Sequence, residues 1–199
     1  MSNKRARSAI HPKIFVVSGP SGSGKTTLCA HALAHPAIKG VIIKSVSVTT
    51  RAKRRAEKAG KDYRFVSEKT FLGLKQQNKL LEAEEVFGNY YGTPTHYVRS
   101  ALKNKKNILL CIDVKGAMNV KRMFKNAVTI FVLPPTLTSL KTRLKGRSSE
   151  AAKHMRSRLD KARWEMGFAK YYDYIVVNDK LEHAVRQLVA IVIAEGCRQ

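Results

Sequence analysis

Gly19-Pro-Ser-Gly-Ser-Gly-Lys-Thr-Thr27 stands between the apolar run Ile14-Phe-Val-Val17 and the segment Leu28 to Leu33. The run has the composition of a buried strand and the segment that of a helix. A glycine-rich loop therefore joins strand to helix in the order that the pattern G-x-x-x-x-G-K-[ST] requires. Glycines at 19, 22 and 24 let successive backbone N–H groups turn inward at a helix start, where an anion is held. Gly19, Pro20, Ser21, Gly22, Ser23, Gly24, Lys25, Thr26 and Thr27 are thus expected to cradle the phosphates of a nucleoside triphosphate. Lys25 would face the β- and γ-phosphates, and the Thr26 hydroxyl would take one position on a magnesium ion.

Working outward, 199 residues suffice for one domain with a full core and are too few for two ordinary ones. Lysine and arginine number 38 against 14 acidic residues, a net charge of +24. Such an excess can signal a nucleic-acid partner. Here the charge is spread over every segment and the aromatics form no recognisable RNA-stacking motif, so a basic surface that attracts anionic nucleotides needs less. No apolar run approaches eighteen residues and none follows the basic start, so neither a membrane span nor a secretory signal is expected, and the location expected is cytoplasmic. Cys29, Cys111 and Cys197 lie far apart without paired spacing and read as reduced thiols.

Further along, Pro36 and Gly40 mark a turn before a second apolar strand, Val41 to Lys44. Strand, helix, strand at this spacing is a βαβ unit, so the fold class is α/β with a central parallel sheet and ligands at the carboxyl ends of its strands. The chain then leaves the sheet. Tyr63 to Val66 reads as a strand, Ser67 and Glu68 open a helix ending near Asn78, and Leu80 to Phe87 alternates with acidic residues before a turn at Gly88-Asn89. The core resumes with a helix at Thr95 to Lys103, strands at Ile108 to Asp113 and Val128 to Leu133, and a helix between them. After the helix Thr136 to Lys145 come Arg143, Arg147, Arg156, Arg158 and Arg163, with a break at Gly146. A basic cover over bound phosphates would have this composition. Tyr174 to Val177 is a last strand and Leu181 to Ala194 a closing helix.

Eight motifs follow the loop in order: Ser47-Val-Thr-Thr-Arg-Ala-Lys-Arg54, Gly60-Lys-Asp-Tyr-Arg-Phe65, Leu81-Glu82, Gly88-Asn-Tyr-Tyr-Gly-Thr93, Ile112-Asp-Val-Lys-Gly116, Leu133-Pro-Pro135, Arg143-Leu-Lys-Gly-Arg147 and Val177-Asn-Asp179. On these residues the chain resembles the guanylate kinases, from Ile14 to about Leu188. The resemblance implies a P-loop three-layer fold with a small mixed GMP-binding lobe and an arginine-rich lid. The basic arm would be 1–12, the core 13–44, 99–142 and 164–199, the lobe 45–98 and the lid 143–163.

The resemblance also implies a reaction, ATP plus GMP giving ADP plus GDP, in purine nucleotide metabolism and GMP recycling, with magnesium accompanying ATP. Use of dGMP and a role for nucleic acid stay open. Arg51, Arg54, Tyr63 and Tyr91 match the clamp on the GMP phosphate, where guanidinium forks and phenolic hydroxyls suit an anion. Glu82 and Asp113, with Ser47 and Thr93, match the base-binding positions. Guanine presents N1–H and N2–H₂ side by side, and a carboxylate accepts both. Lys25, Arg143, Arg147 and Arg158 match the catalytic cations, and Asn178 lies in the loop near adenine. Cys111 departs from the pattern, which carries an acidic residue there. Three rivals remain: a silent module that binds proteins, a kinase for phosphorylated sugars, and a nucleic-acid binder.

Overall fold

A computed structural model describes residues 12–55, 57–145 and 151–198. Arg147, the helix break expected at Gly146 and the basic arm up to residue 11 lie outside the described residues. In chain order the core begins with β1 (Ile14–Ser18), α1 (Lys25–Ala34) and β2 (Ile42–Lys44). The lobe follows with β3 (Ser47–Thr49), β4 (Tyr63–Phe65), α2 (Glu68–Gln76), β5 (Leu80–Val86) and β6 (Asn89–Pro94). The chain returns through α3 (Thr95–Lys103), β7 (Asn107–Cys111), α4 (Val114–Met123), β8 (Val128–Leu133), α5 (Leu137–Lys145), α6 (Ala151–Met166), β9 (Tyr174–Val177) and α7 (Leu181–Cys197).

Five strands pair in the order β2-β7-β1-β8-β9, all parallel. The central strands β1, β7 and β8, covered on both faces, are mostly apolar, as the expected near-continuous runs were. Alternate residues of β1 serve opposite faces. Phe15 and Val17 join Leu28 and Cys29 of α1 and Leu188 of α7, while Ile14 and Val16 join Val98 of α3 and Val120 of α4. This is the parallel sheet expected from the βαβ spacing, in the three-layer arrangement that the resemblance implies. Among the described residues no helix is long and apolar enough to cross a membrane.

The second sheet has the order β4-β3-β6-β5, with β4 parallel to β3 and the other pairs antiparallel. Phe87 and Gly88, which join β5 to β6, both have positive φ, 50° and 71°. That is the backbone of a two-residue hairpin whose twist matches its strands. Ser67 caps α2 by accepting from the Thr70 N–H at 3.2 Å, and Phe71 stacks under the sheet on Tyr90, 5.3 Å between centroids.

Two expectations are corrected. Ile108 to Asp113 is not all strand: β7 stops at Cys111, and Asp113 caps α4 by accepting the Gly116 N–H at 2.8 Å. Four unpaired N–H groups at a helix start compete with the sheet for an aspartate, and here they win. Residues 111 and 113 therefore do not share the face of one strand. The closing helix also runs past Ala194 to Cys197, held by Glu195, which accepts from Lys13 at 2.8 Å and Tyr174 at 2.6 Å.

Candidate active site

The carboxyl end of β1 opens into the glycine loop. Gly19 has φ 139°, and a Cβ there would stand 2.3 Å from the carbonyl oxygen of Val132 in β8, so no other residue fits. Lys25 reaches back over the loop, donating to the carbonyls of Gly19 at 2.6 Å and Pro20 at 2.9 Å. Burial lowers its pKa from the ordinary lysine value. The N-terminus of α1 has neither a side-chain cap nor an acidic residue in its first turn. Its N–H groups and the positive end of its dipole are thus left for an outside anion.

The loop is braced from the far side of the sheet. Asn178 donates through Nδ2 to the Ser23 carbonyl at 2.8 Å, and Arg143 donates to that carbonyl at 3.4 Å and to the Asn178 carbonyl at 3.0 Å. The Asn178 amide nitrogen therefore holds the loop. A second hollow opens beside it, between Gly24, Thr27, Arg143, Asp179 and Leu181.

Facing the loop across one continuous cleft is the second sheet. Gly19, Ser21, Gly22, Gly24, Lys25 and Thr26 line one wall; Ser47, Arg51, Arg54, Tyr63, Glu82 and Tyr91 line the other, with Cys111, Asp113 and Glu165 between them. Glu82 reaches the cleft because β5 carries an irregularity between Leu80 and Glu82, which resets its register against β6. It is 6% exposed and accepts from the Thr93 hydroxyl at 2.6 Å. Burial raises its pKa to about 8, helped by Asp113 and Glu84 and opposed by the Thr93 hydroxyl. Gly116 makes room for it, since a Cβ there would lie 2.8 Å from Glu82 Oε2.

At the other end of the lobe wall, Arg51 donates through Nε to the Tyr91 hydroxyl at 3.2 Å and through its second amino group to Glu57 at 2.7 Å. Its guanidinium lies 5.6 Å from the Tyr63 ring centre. The Arg54 N–H donates to the other Glu57 oxygen at 2.9 Å. Burial pushes the Tyr63 hydroxyl well above the usual tyrosine range.

Of the residues singled out in the sequence, Lys25, Thr26, Ser47, Arg51, Arg54, Tyr63, Glu82, Tyr91 and Asp113 meet in this cleft, with Thr93 behind Glu82. Arg143 and Asn178 stand behind the loop, and Arg158 stands away from both groups, its guanidinium 5.5 Å from the Phe87 ring centre. Three acids went unread. Glu57 holds the Arg51 guanidinium and the Arg54 backbone N–H, and an acid inside a run of lysines and arginines was the available signal. Glu84 lines the cleft rather than a solvated face and accepts from Asn119 at 3.1 Å. Glu165, 5% exposed on α6, faces the Ser21 N–H and has one oxygen without a partner. Burial raises its pKa despite Lys25 and Lys161 nearby.

A parallel sheet whose first strand feeds a phosphate loop, opposed across one cleft by a polar lobe, defines a P-loop nucleotide kinase. Comparison with known proteins narrows the class. The family model described as Guanylate kinase matches residues 11–195. The chain is 42% identical over 186 residues to a guanylate kinase of Halalkalibacterium halodurans, covering 94% of this chain and 90% of that protein. Identity to a guanylate kinase of Thermotoga maritima is also 42%, covering 94% and 88%. The crystal structure of guanylate kinase from Anaplasma phagocytophilum superposes with a TM-score of 0.79 at 34% identity, covering 96% of this chain and 89% of that one. The chain belongs to the guanylate kinase family.

Proposed function

We propose that the cleft transfers the γ-phosphoryl group of ATP to the phosphate of GMP, giving ADP and GDP, as a step of purine nucleotide metabolism in the cytoplasm. The observation that carries this reading is that the phosphate loop and the buried Glu82–Thr93 pair open on the same cleft. Glu82 reads the N1–H and N2–H₂ of guanine, an arrangement that adenine lacks. Asp113 assists with the oxygen its helix cap leaves free, and Ser47 and Thr93 complete the pocket. Arg51, its guanidinium already held by Glu57, receives the GMP phosphate with Arg54, Tyr63 and Tyr91.

On the other wall the α1 N-terminus and loop amides hold the ATP phosphates. Lys25 exchanges its two loop carbonyls for phosphate oxygens and neutralises the charge that develops during transfer. Arg143, Arg147 and Arg158 are the lid cations. Asn178 keeps the loop in shape beside the adenine end. The attacking GMP oxygen is already anionic at neutral pH, so no general base is needed and catalysis is positioning plus charge neutralisation. Closing of lobe and lid excludes water, which would otherwise accept the phosphoryl group.

Magnesium fits this donor set in a particular way. Among the described residues no three His, Cys, Asp or Glu side chains gather into a cage. The exposed Thr26 hydroxyl at the start of α1 is the hard oxygen offered next to the phosphates, the usual pattern for magnesium held mainly by substrate. When bound it would neutralise phosphate charge.

An assay coupling ADP release to each of GMP, AMP, CMP and UMP tests the reading. ADP release with GMP alone, with GDP as the second product, is expected; equal rates with AMP would overturn the role given to Glu82.

A further inference from the structure

Two sulfur atoms meet at the floor of the cleft, and phosphoryl transfer uses neither. Cys111 is the last residue of β7, half-buried, and it lines the cleft beside the Thr26 hydroxyl. Cys29 lies one turn after Lys25 on the face of α1 that packs on the sheet, with no exposure at all. Cys111 packs against the same core cluster, and the two thiols neighbour each other across the junction of α1 and β7. The ammonium groups of Lys25 and Lys44 act on the pair with their positive charge. Cys197 is remote and exposed at the end of α7.

One thiol of the pair therefore opens to the solvent of the cleft and the other lies behind it, shielded. An entering oxidant meets Cys111 first, with positive charge close by to stabilise a developing oxyanion. Its immediate neighbour is a second thiol, the arrangement in which a first oxidation product is resolved and not carried further.

We propose that Cys111 is a covalent modification site for hydroperoxides, and that Cys29 converts the product into an intramolecular disulfide across the α1–β7 junction. In the first step the Cys111 sulfur attacks the outer oxygen of ROOH. The O–O bond breaks and ROH departs with the thiol proton, leaving Cys111 as a sulfenic acid. In the second the Cys29 sulfur attacks the Cys111 sulfur, the S–O bond breaks, and water departs with the Cys29 proton. The two thiols together lose two electrons and the peroxide gains them.

The consequence for the cleft follows from position. The bridge ties α1, one turn after Lys25, to the end of β7 and so fixes the helix start that carries Lys25 and Thr26, and oxidation stops transfer until a thiol reductant reopens it. Bound ATP and GMP cover Cys111 and slow the reaction.

The test uses the full chain treated with hydrogen peroxide, then peptide mapping by mass without reduction. A Cys29–Cys111 linked peptide is expected to appear in proportion to the loss of kinase activity, to be slowed by ATP with GMP, and to vanish with dithiothreitol as activity returns. Cys197→Ser should alter none of this. In Cys29→Ser, a dimedone adduct at Cys111 should accumulate in place of the bridge. Inactivated chain in which Cys111 still carries a free thiol, or oxidation confined to Cys197, would overturn the proposal. The map of the unaltered chain decides it even if Cys29→Ser fails to fold, and a mass is read independently of whether GMP is the acceptor.

Discussion

Glu82 is a carboxylate held where a charge is costly, and its pKa of about 8 means that the empty cleft keeps it protonated near neutral pH. Two guanine N–H donors favour the ionised form, so GMP binding at pH 7 should release a proton. The KM for GMP should rise as pH falls below about 8, with no matching component for ATP. Calorimetry in two buffers of different ionisation heat measures the proton directly, and binding without release would contradict the guanine-reading role. Stability of the unliganded chain runs the opposite way. The folded value lies above the ordinary 4.5, so the contribution is fully present below that pH and is lost as pH rises through about 8. Melting of the unliganded chain should show this decline, and Glu82→Gln should remove it.

Gly116 tests the same carboxylate from behind. Its missing Cβ leaves 2.8 Å to Glu82 Oε2. In Gly116→Ala the flexible Glu82 carboxylate gives way, while alanine suits a helix better than glycine by roughly 0.5–1 kcal/mol. The variant should therefore melt no lower than the parent yet show a raised KM for GMP. A drop in both stability and GMP use would mean that the glycine serves packing alone.

At the scale of elements, the β5–β6 hairpin and α6 are joined by one ring. Lys161 Nζ lies 4.8 Å and the Arg158 guanidinium 5.5 Å from the centre of Phe87, which is 42% exposed. Each such contact contributes about 0.5–1 kcal/mol at an exposed site. Phe87→Ala should leave both sheets intact and speed hydrogen exchange in α6 of the unliganded chain; unchanged exchange would show that the lobe tip does not hold the helix.

The parallel core strands and the phosphate loop were legible because each is local: an unbroken apolar run, a glycine pattern, a helix start. What stayed hidden depends on partners distant in sequence. Asp113 reads as the end of an apolar strand until the Gly116 N–H is seen beneath it. Glu84 looks solvated on an alternating strand until α4 covers it with Asn119. Cys29 and Cys111, remote in sequence, become neighbours only when α1 lies on β7. The lobe boundary expected at residue 98 falls inside α3, a helix whose Val98 and Ala101 pack on the main sheet. A change of sheet leaves no mark inside an amphipathic helix.

For the molecule as a whole, polar ends of the two sheets face each other across the cleft, and the reaction needs both walls. The net charge of +24 surrounds a cleft meant for two anions and favours their approach. On the phosphate wall, Lys25→Ala should abolish turnover while circular dichroism and melting stay near those of the parent, since the side chain contacts its own loop and not the core. Near-normal kcat would contradict the loop's role.

The central claim is that one wall reads guanine through Glu82 while the other holds ATP. Steady-state kinetics of the parent and Glu82→Gln, varying GMP and ATP in turn, tests it most directly. The amide offers guanine one acceptor and one donor, so a hydrogen bond to a charged group is lost and a donor is left unpaired. That should cost roughly 2–4 kcal/mol, or about 30- to 1000-fold in kcat/KM for GMP, with the KM for ATP barely changed. Equal losses for both nucleotides would contradict the claim and make Glu82 a support of the fold.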